Sequence, residues 1–97
     1  MVLQYTGFME AYEHKTHVLK TAPEYFQLIY ENAKTAELRL DDGRNFNVGD
    51  LLLLKEWGGD YSGRELYVKI THVLNVSEFI GVKDPRGAWK MLSFLKP

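Results

Sequence analysis

Hydrophobic and polar residues alternate with a period of two over most of this chain, and a helical period replaces that alternation only once. The alternation is clearest from Arg64 to Val76, which predicts a half-buried antiparallel strand. Four further extended segments are predicted at His17–Lys20, Thr35–Leu40, Asp50–Trp57 and Ala88–Leu95. The pattern therefore predicts a fold dominated by strands.

The helical period extends from about Ala22 to Ala33. Thr21 is predicted to cap this helix, with Glu24 reaching back to it in a capping box and Pro23 in the first turn. The residues expected to face the sheet are Phe26, Ile29, Tyr30 and Ala33, with Tyr25 and Leu28 widening the buried stripe. One helix and about five to six mostly antiparallel strands predict an α+β fold that resembles a small barrel.

The segment from Thr35 to Leu40 has a charged face. If it is a strand, Glu37 and Arg39 point to the opposite side from Leu38 and Leu40. Taken by itself, this pattern predicts that the leucines are buried and that the charged row faces water.

Composition narrows the class of protein. A chain of 97 residues, with 45% hydrophobic and 26% charged residues, predicts one globular domain. It has no cysteine, which excludes disulfides and thiolate metal ligands, and its net charge of −1 removes the simple argument for a general nucleic-acid coat protein. The longest aliphatic run, Leu51 to Leu54, is too short to cross a membrane, and the N-terminus has no signal-peptide pattern. We therefore expect a cytoplasmic protein.

Common catalytic and metal-binding motifs are missing from the sequence. His14 and His17 are three residues apart and close to Glu10 and Glu13, but the spacing matches no known metal motif, so neither a metal nor a cofactor is predicted. His72 shares the apolar face of its strand and is expected to be a hydrogen-bonded core residue. Aromatic residues do occur beside cations, with Trp57 and Tyr61 just before Arg64 and with Trp89 between Arg86 and Lys90. Bases of single-stranded nucleic acid could stack there, at about 1 to 3 kcal/mol per base.

Six spaced motifs support a family resemblance. They are His17–Lys20, Pro23–Phe26, Lys34–Arg39, Arg44–Asp50, Glu56 and Tyr61–Arg64. In this order they resemble the PUA-like superfamily and its ASCH branch, and in particular a small ASCH-related family from bacteria and phages. The resemblance implies one PUA-like pseudo-barrel over residues 1–97, with Met1 to Thr16 as a variable extension and a cleft beside the helix. It also implies recognition of RNA or a nucleotide through Lys34, Glu37, Arg39 and Arg44.

Two departures from the family pattern affect the function that the resemblance implies. Asn32 and Ala33 replace a glycine before the lysine motif, and Gly43 is an apparent insertion. Some ASCH proteins are amidohydrolases that act on acetylated cytidine, but this chain has Glu37 where their threonine nucleophile would be.

The leading hypothesis is therefore a binding module without catalytic activity. Glu37 would orient an arginine or accept a hydrogen bond from a base amine, and the residues expected to contact phosphate or base edges are Lys34, Arg39, Arg44 and Arg64. His17 and Lys20 are expected to line the same cleft, and Trp57 and Tyr61 to provide stacking surfaces.

Two alternatives remain open. The first is a small hydrolase of a modified nucleoside, with Glu37 or Glu56 as general base and Lys34 at an oxyanion. The second is a protein-interaction module whose apolar C-terminal strand adds to the edge of a partner's sheet.

Overall fold

A five-stranded mixed sheet that curls into a half-barrel forms the frame of the protein. The computed structural model describes residues 13–97. Its strands are β1 (Thr16–Thr21), β2 (Ala36–Asp41), β3 (Leu51–Trp57), β4 (Tyr61–Asn75) and β5 (Ala88–Leu95), and its helices are α1 (Pro23–Tyr30) and α2 (Val76–Ile80). The predicted α+β class and pseudo-barrel shape are confirmed, as are the five predicted strands.

The order of strands across the sheet is β1-β3-β4-β5-β2. β1 pairs with β3 in parallel, and the other three pairings are antiparallel. β1 and β2 are therefore the two edge strands. Arg39 of β2 donates a hydrogen bond to the carbonyl of Lys20 in β1, so the curl of the sheet brings its two edges face to face. We call the gap between them the seam.

The core fills the inside of the half-barrel. Phe26 and Ile29 of α1 are 1% and 2% exposed and pack against inward-facing side chains of the sheet. The buried sheet residues are Leu19, Leu52, Leu54, Val68, Ile70, Leu92 and Phe94. Each side chain of this kind contributes about 1.5 to 3 kcal/mol when fully buried, so these contacts fix the position of α1 beside the seam.

A β-bulge in β4 reverses one prediction. Ile70 is opposite Phe94, but His72 is opposite Ser93, so the register shifts between Ile70 and His72. The shift places Val73 against the core and leaves His72 exposed. The prediction that His72 is a core residue was wrong because strict alternation does not anticipate the extra residue.

The helix α1 differs from its prediction at both ends. Its N-cap is Ala22, no side chain caps it, and the hydroxyl of Thr21 is buried without a hydrogen bond, so the predicted capping box is absent. The helix ends at Tyr30, and Asn32 takes a φ of 64°, which α-helical backbone cannot accommodate. The residues expected at the buried face but left exposed are Tyr25, Leu28, Tyr30 and Ala33.

The faces of β2 are inverted relative to the prediction. Glu37 and Asp41 are each 8% exposed, whereas Leu38 is 46% exposed. The charged row points into the half-barrel because β2 borders the seam, where hydrogen-bonding groups of β1 face it.

Two further observations concern the ends of the chain and its helices. Of the predicted extension, Met1 to Tyr12 lie outside the described residues, and Thr16 already begins β1. Over residues 13–97, no helix is long and apolar enough to cross a membrane.

Candidate functional site

A pocket of about 480 Å³ opens at the seam, beside α1. Its apolar walls are formed by Leu19, Ala22, Tyr25, Leu38, Leu40, Phe46 and Trp89, and its charged residues are Glu37, Arg39, Asp42 and Arg44. Four consecutive residues of β2 contribute, so the pocket follows the free edge of that strand. We call it the seam pocket. Tyr25 of α1 and the neighbouring Ala22 line it, so the pocket lies next to the helix, and its identity with the cleft that the resemblance implied stays a prediction.

Two arginines bridge the seam. The carbonyl of Lys15 bonds to Leu51 at the start of β3, so alternate carbonyls, including those of Val18 and Lys20, point away from β3 into the gap. Arg39 Nη2 donates to the Lys20 carbonyl and Arg44 Nη1 donates to the Val18 carbonyl, both at 2.8 Å. Arg39 and Arg44, both predicted to contact a ligand, therefore hydrogen-bond to the backbone of β1. They cover an edge of the sheet that could otherwise pair with another strand.

Glu37 is the buried carboxylate of the seam pocket. Arg39 Nε donates to Glu37 Oε2 at 2.7 Å, and Arg39 Nη2 lies 2.6 Å from the same oxygen. The other oxygen, Oε1, is buried and accepts no hydrogen bond within the described part of the chain. An acceptor left in this state destabilises a protein unless a ligand or solvent molecule donates to it.

Asp41 holds the loop that brings Arg44 and Phe46 to the pocket. Its carboxylate accepts hydrogen bonds from the backbone N–H groups of Asn45 and Phe46 at 2.8 and 3.0 Å, and from Lys90 Nζ at 2.6 Å. Burial alone would raise the pKa of Asp41, but the hydrogen bonds from Lys90, Asn45 and Phe46 outweigh it and lower the pKa from 3.8 to about 2.

We expect the Asp41–Lys90 ion pair to make the stability of the protein depend on pH. Because the folded pKa of Asp41 is below its unfolded value, its contribution is complete above pH 4 and is lost as the pH falls towards 2. The free energy of unfolding of the parent should exceed that of Asp41→Asn, and the difference should shrink by roughly 1 to 2 kcal/mol between pH 5 and pH 2. Urea unfolding of both proteins at several pH values measures this, and a constant difference would contradict it.

A buried His17–Asp50 pair lies beneath the pocket. His17 Nε2 is 2.8 Å from Asp50 Oδ2, and the ring of Phe46 packs edge-on against His17 at 4.8 Å between centroids. Asp50 is fully buried and also accepts hydrogen bonds from the backbone N–H groups of Lys15 and Asn47, both at 3.0 Å. The structure places His17 below a residue of the pocket wall, and its predicted contact with a ligand stays a prediction.

Lys34 contacts one residue of the pocket lining but is not itself among the residues that line the seam pocket. Its Nζ lies 5.4 Å from the ring centroid of Tyr25, which lines the pocket and is 49% exposed. This geometry is within the range of a cation–π contact. The predicted contact of Lys34 with a ligand stays a prediction.

Other predicted site residues lie on the outer surface of the sheet. Leu19 points inward and its neighbour Lys20 outward, where Lys20 Nζ lies 4.5 Å from the ring centroid of Trp57 and 5.8 Å from that of Tyr61. Lys55 Nζ lies 5.5 Å from the Tyr61 ring centroid. The structure thus brings Lys20, Trp57 and Tyr61 together, but on the opposite face from the seam pocket.

Arg64 joins the β3–β4 hairpin to α1. Its Nη1 lies 3.6 Å from Glu56 Oε2, its Nη2 donates to Gln27 Oε1 at 3.1 Å, and its guanidinium lies 4.8 Å from the ring centroid of Phe26. Ser62 donates to the other oxygen of Glu56 at 2.7 Å. Arg64 and Glu56 are therefore engaged in packing α1, and neither lines the seam pocket.

Sequence reasoning missed Asp41 and Phe46 as supports of the site. A usable signal was present, because Asp41 comes just before the turn residues Asp42 and Gly43. An aspartate at the start of a turn commonly accepts hydrogen bonds from the backbone that follows it. No signal indicated that Lys90 would reach Asp41. Within residues 13–97, no three His, Cys, Asp or Glu side chains are placed to hold a metal ion, and Glu10 lies outside that range.

These observations define an α+β half-barrel whose edge strands are bridged across a polar pocket. Residues 16–93 match the family described as "Domain of unknown function (DUF3850)", and the chain belongs to that family. Over 67 residues it is 40% identical to the "Uncharacterized 12.9 kDa protein in GpA 3'region" of Escherichia phage P2. That match covers 68% of this chain and 61% of the phage protein.

One solved structure has a similar fold. The "Crystal structure of hypothetical protein PH0355" superposes with a TM-score of 0.58 at 18% sequence identity, over 86% of this chain and 99% of that one. At this level of identity the match supports the half-barrel fold alone.

Proposed function

We propose that this protein is a PUA-like module that binds a nucleotide or a base of RNA in its seam pocket. The observation that carries the proposal is Glu37, which lines a pocket with aromatic and aliphatic walls and whose buried oxygen Oε1 accepts no hydrogen bond from residues 13–97. Ligand pockets commonly have about 300 to 1,000 Å³ and a few polar groups among apolar ones, and the seam pocket fits both descriptions.

The placement of Lys34 also supports a nucleotide. Its ammonium group lies 5.4 Å from the ring centroid of Tyr25, whereas the arginines that line the pocket are bound to Glu37 and to β1. A base entering the pocket would leave its phosphate near Lys34. The order of motifs that resembles the PUA-like and ASCH proteins agrees with this arrangement.

The alternatives have less support. Among the residues of 13–97 that line the pocket there is no serine or threonine to act as a nucleophile, and Glu56 is bound to Ser62 and lies near Arg64. A hydrolase would therefore depend on Glu37 and a water molecule alone. The sheet-edge hypothesis conflicts with the topology, because β5 is paired with β4 on one side and β2 on the other.

A pair of lysine variants tests the proposal. Binding of short RNAs and of the common nucleotides would be measured by calorimetry and fluorescence anisotropy. We expect Lys34→Ala to weaken binding roughly three- to tenfold, with a larger effect at low salt, because it removes one partly exposed contact with a phosphate.

Lys83→Ala is the matched control. It removes the same charge from an exposed position in the loop after α2, outside the seam pocket, and should change binding less than twofold. Failure of the parent protein to bind any RNA or nucleotide would contradict the proposal, as would equal affinities for both variants.

A further inference from the structure

The free oxygen of Glu37 restricts which part of a ligand can enter the seam pocket. A carboxylate paired with arginine only accepts hydrogen bonds, and Oε2 is already used by Arg39. Glu37 lines the pocket, and its Oε1 is buried and accepts no hydrogen bond from the part of the chain that the structure describes. A ligand that reaches it must therefore present an N–H or O–H donor.

The charge of the pocket disfavours a phosphate in the same place. Glu37 and Asp42 are acidic and Arg39 and Arg44 are basic, so the charges of the four side chains sum to zero. The guanidinium groups already donate to Glu37 and to the Val18 and Lys20 carbonyls. A phosphate beside Glu37 would meet a buried carboxylate of like charge, which disfavours a phosphate at that point of the pocket.

The remaining walls favour a flat apolar group. Leu19 and Phe46 are buried core residues that reach the pocket, and Tyr25 stands at its rim. A planar heterocycle satisfies the apolar walls through its ring and satisfies Glu37 through an exocyclic amine.

We propose that the seam pocket selects nucleobases that carry an exocyclic amine, with an amine N–H donating to Glu37 Oε1. This inference rests on the proposed function and adds the identity of the group that enters first. Adenine, cytosine and guanine carry such an amine, whereas uracil and hypoxanthine do not. The base enters, and the sugar and phosphate remain outside near Lys34.

Nucleoside pairs that differ only in this amine give the direct test. Adenosine is compared with purine riboside, and guanosine with inosine, by titration calorimetry against the parent protein. Whichever of adenosine and guanosine binds more tightly should bind at least about tenfold more tightly than its counterpart without the amine. The reason is that the hydrogen bond is to a buried charged acceptor.

Glu37→Gln should invert this preference. The amide oxygen is held by Arg39, so the amide NH₂ takes the position of Oε1 and donates into the pocket. Uridine or inosine should then bind better than cytidine or guanosine. Glu65→Gln makes the same change on the outer face, where Glu65 is paired with Lys55 at 3.4 Å, and should leave the parent's preference intact.

The outcomes separate this inference from the proposed function. Equal binding of both members of each pair, or a preference that Glu37→Gln leaves unchanged in a folded variant, would overturn the inference while the nucleotide-binding proposal stands. If no nucleoside, nucleotide or RNA binds, both are wrong. The comparison within the parent protein decides the question even if Glu37→Gln fails to fold.

Discussion

Replacing Asp50 with alanine should lower the free energy of unfolding by about 3 to 5 kcal/mol, which is a large part of the total for a domain of this size. Asp50 is fully buried, and its carboxylate accepts from the N–H groups of Lys15 and Asn47 while contacting His17. The alanine variant leaves the buried His17 without that partner and removes the acceptor of the two backbone N–H groups. Equilibrium unfolding in urea measures the loss.

Two comparisons show whether burial is the cause. Asp50→Asn keeps one oxygen acceptor and should lie between the parent and Asp50→Ala. Asp42→Ala removes a carboxylate that is 59% exposed and lies 4.0 Å from Arg44, and should change stability by less than about 0.5 kcal/mol. Similar losses for Asp50→Ala and Asp42→Ala would show that the His17–Asp50 pair does not support the fold.

The strands were predictable because alternation is a local property. The segment from Asp50 to Trp57 shows this, since its residues alternate between core and outer surface as β3. The same argument predicted the wrong buried face for β2, where Glu37 is buried and Leu38 is half exposed. Which face of an edge strand is buried depends on the element opposite it, here β1 across the seam.

The chemistry of the site was predictable only in part. The resemblance implied a cleft beside α1, and the structure has a pocket there that Glu37, Arg39 and Arg44 line and Lys34 does not. The hydrogen-bond partners of those residues could not be predicted from the sequence, since Arg39 binds the Lys20 carbonyl and Asp41 binds Lys90, 49 positions away. Pairings over such distances follow from the curl of the sheet.

The Glu37–Arg39 pair gives the second large expected effect. Arg39→Met should cost about 2 to 4 kcal/mol of unfolding free energy, because it leaves a buried carboxylate without its charge partner and exposes the Lys20 carbonyl at the seam. The side chain of Glu37 is 9% exposed and that of Arg39 is 25% exposed, so solvent screens the pair only weakly. Chemical unfolding at neutral pH measures the loss.

Arg86→Met is the matched control for that substitution. Arg86 is paired with Asp84 at 2.7 Å, but its side chain is 65% exposed, so solvent screens the pair and its removal should cost far less than Arg39→Met. Adding Glu37→Gln to Arg39→Met should recover part of the stability, since the second change removes the unpaired charge. If Arg39→Met and Arg86→Met cost the same, the seam pair is an ordinary surface ion pair. If Arg39→Met costs several times more, the difference reflects the burial of the Glu37 carboxylate, which Arg39 neutralises in the folded protein.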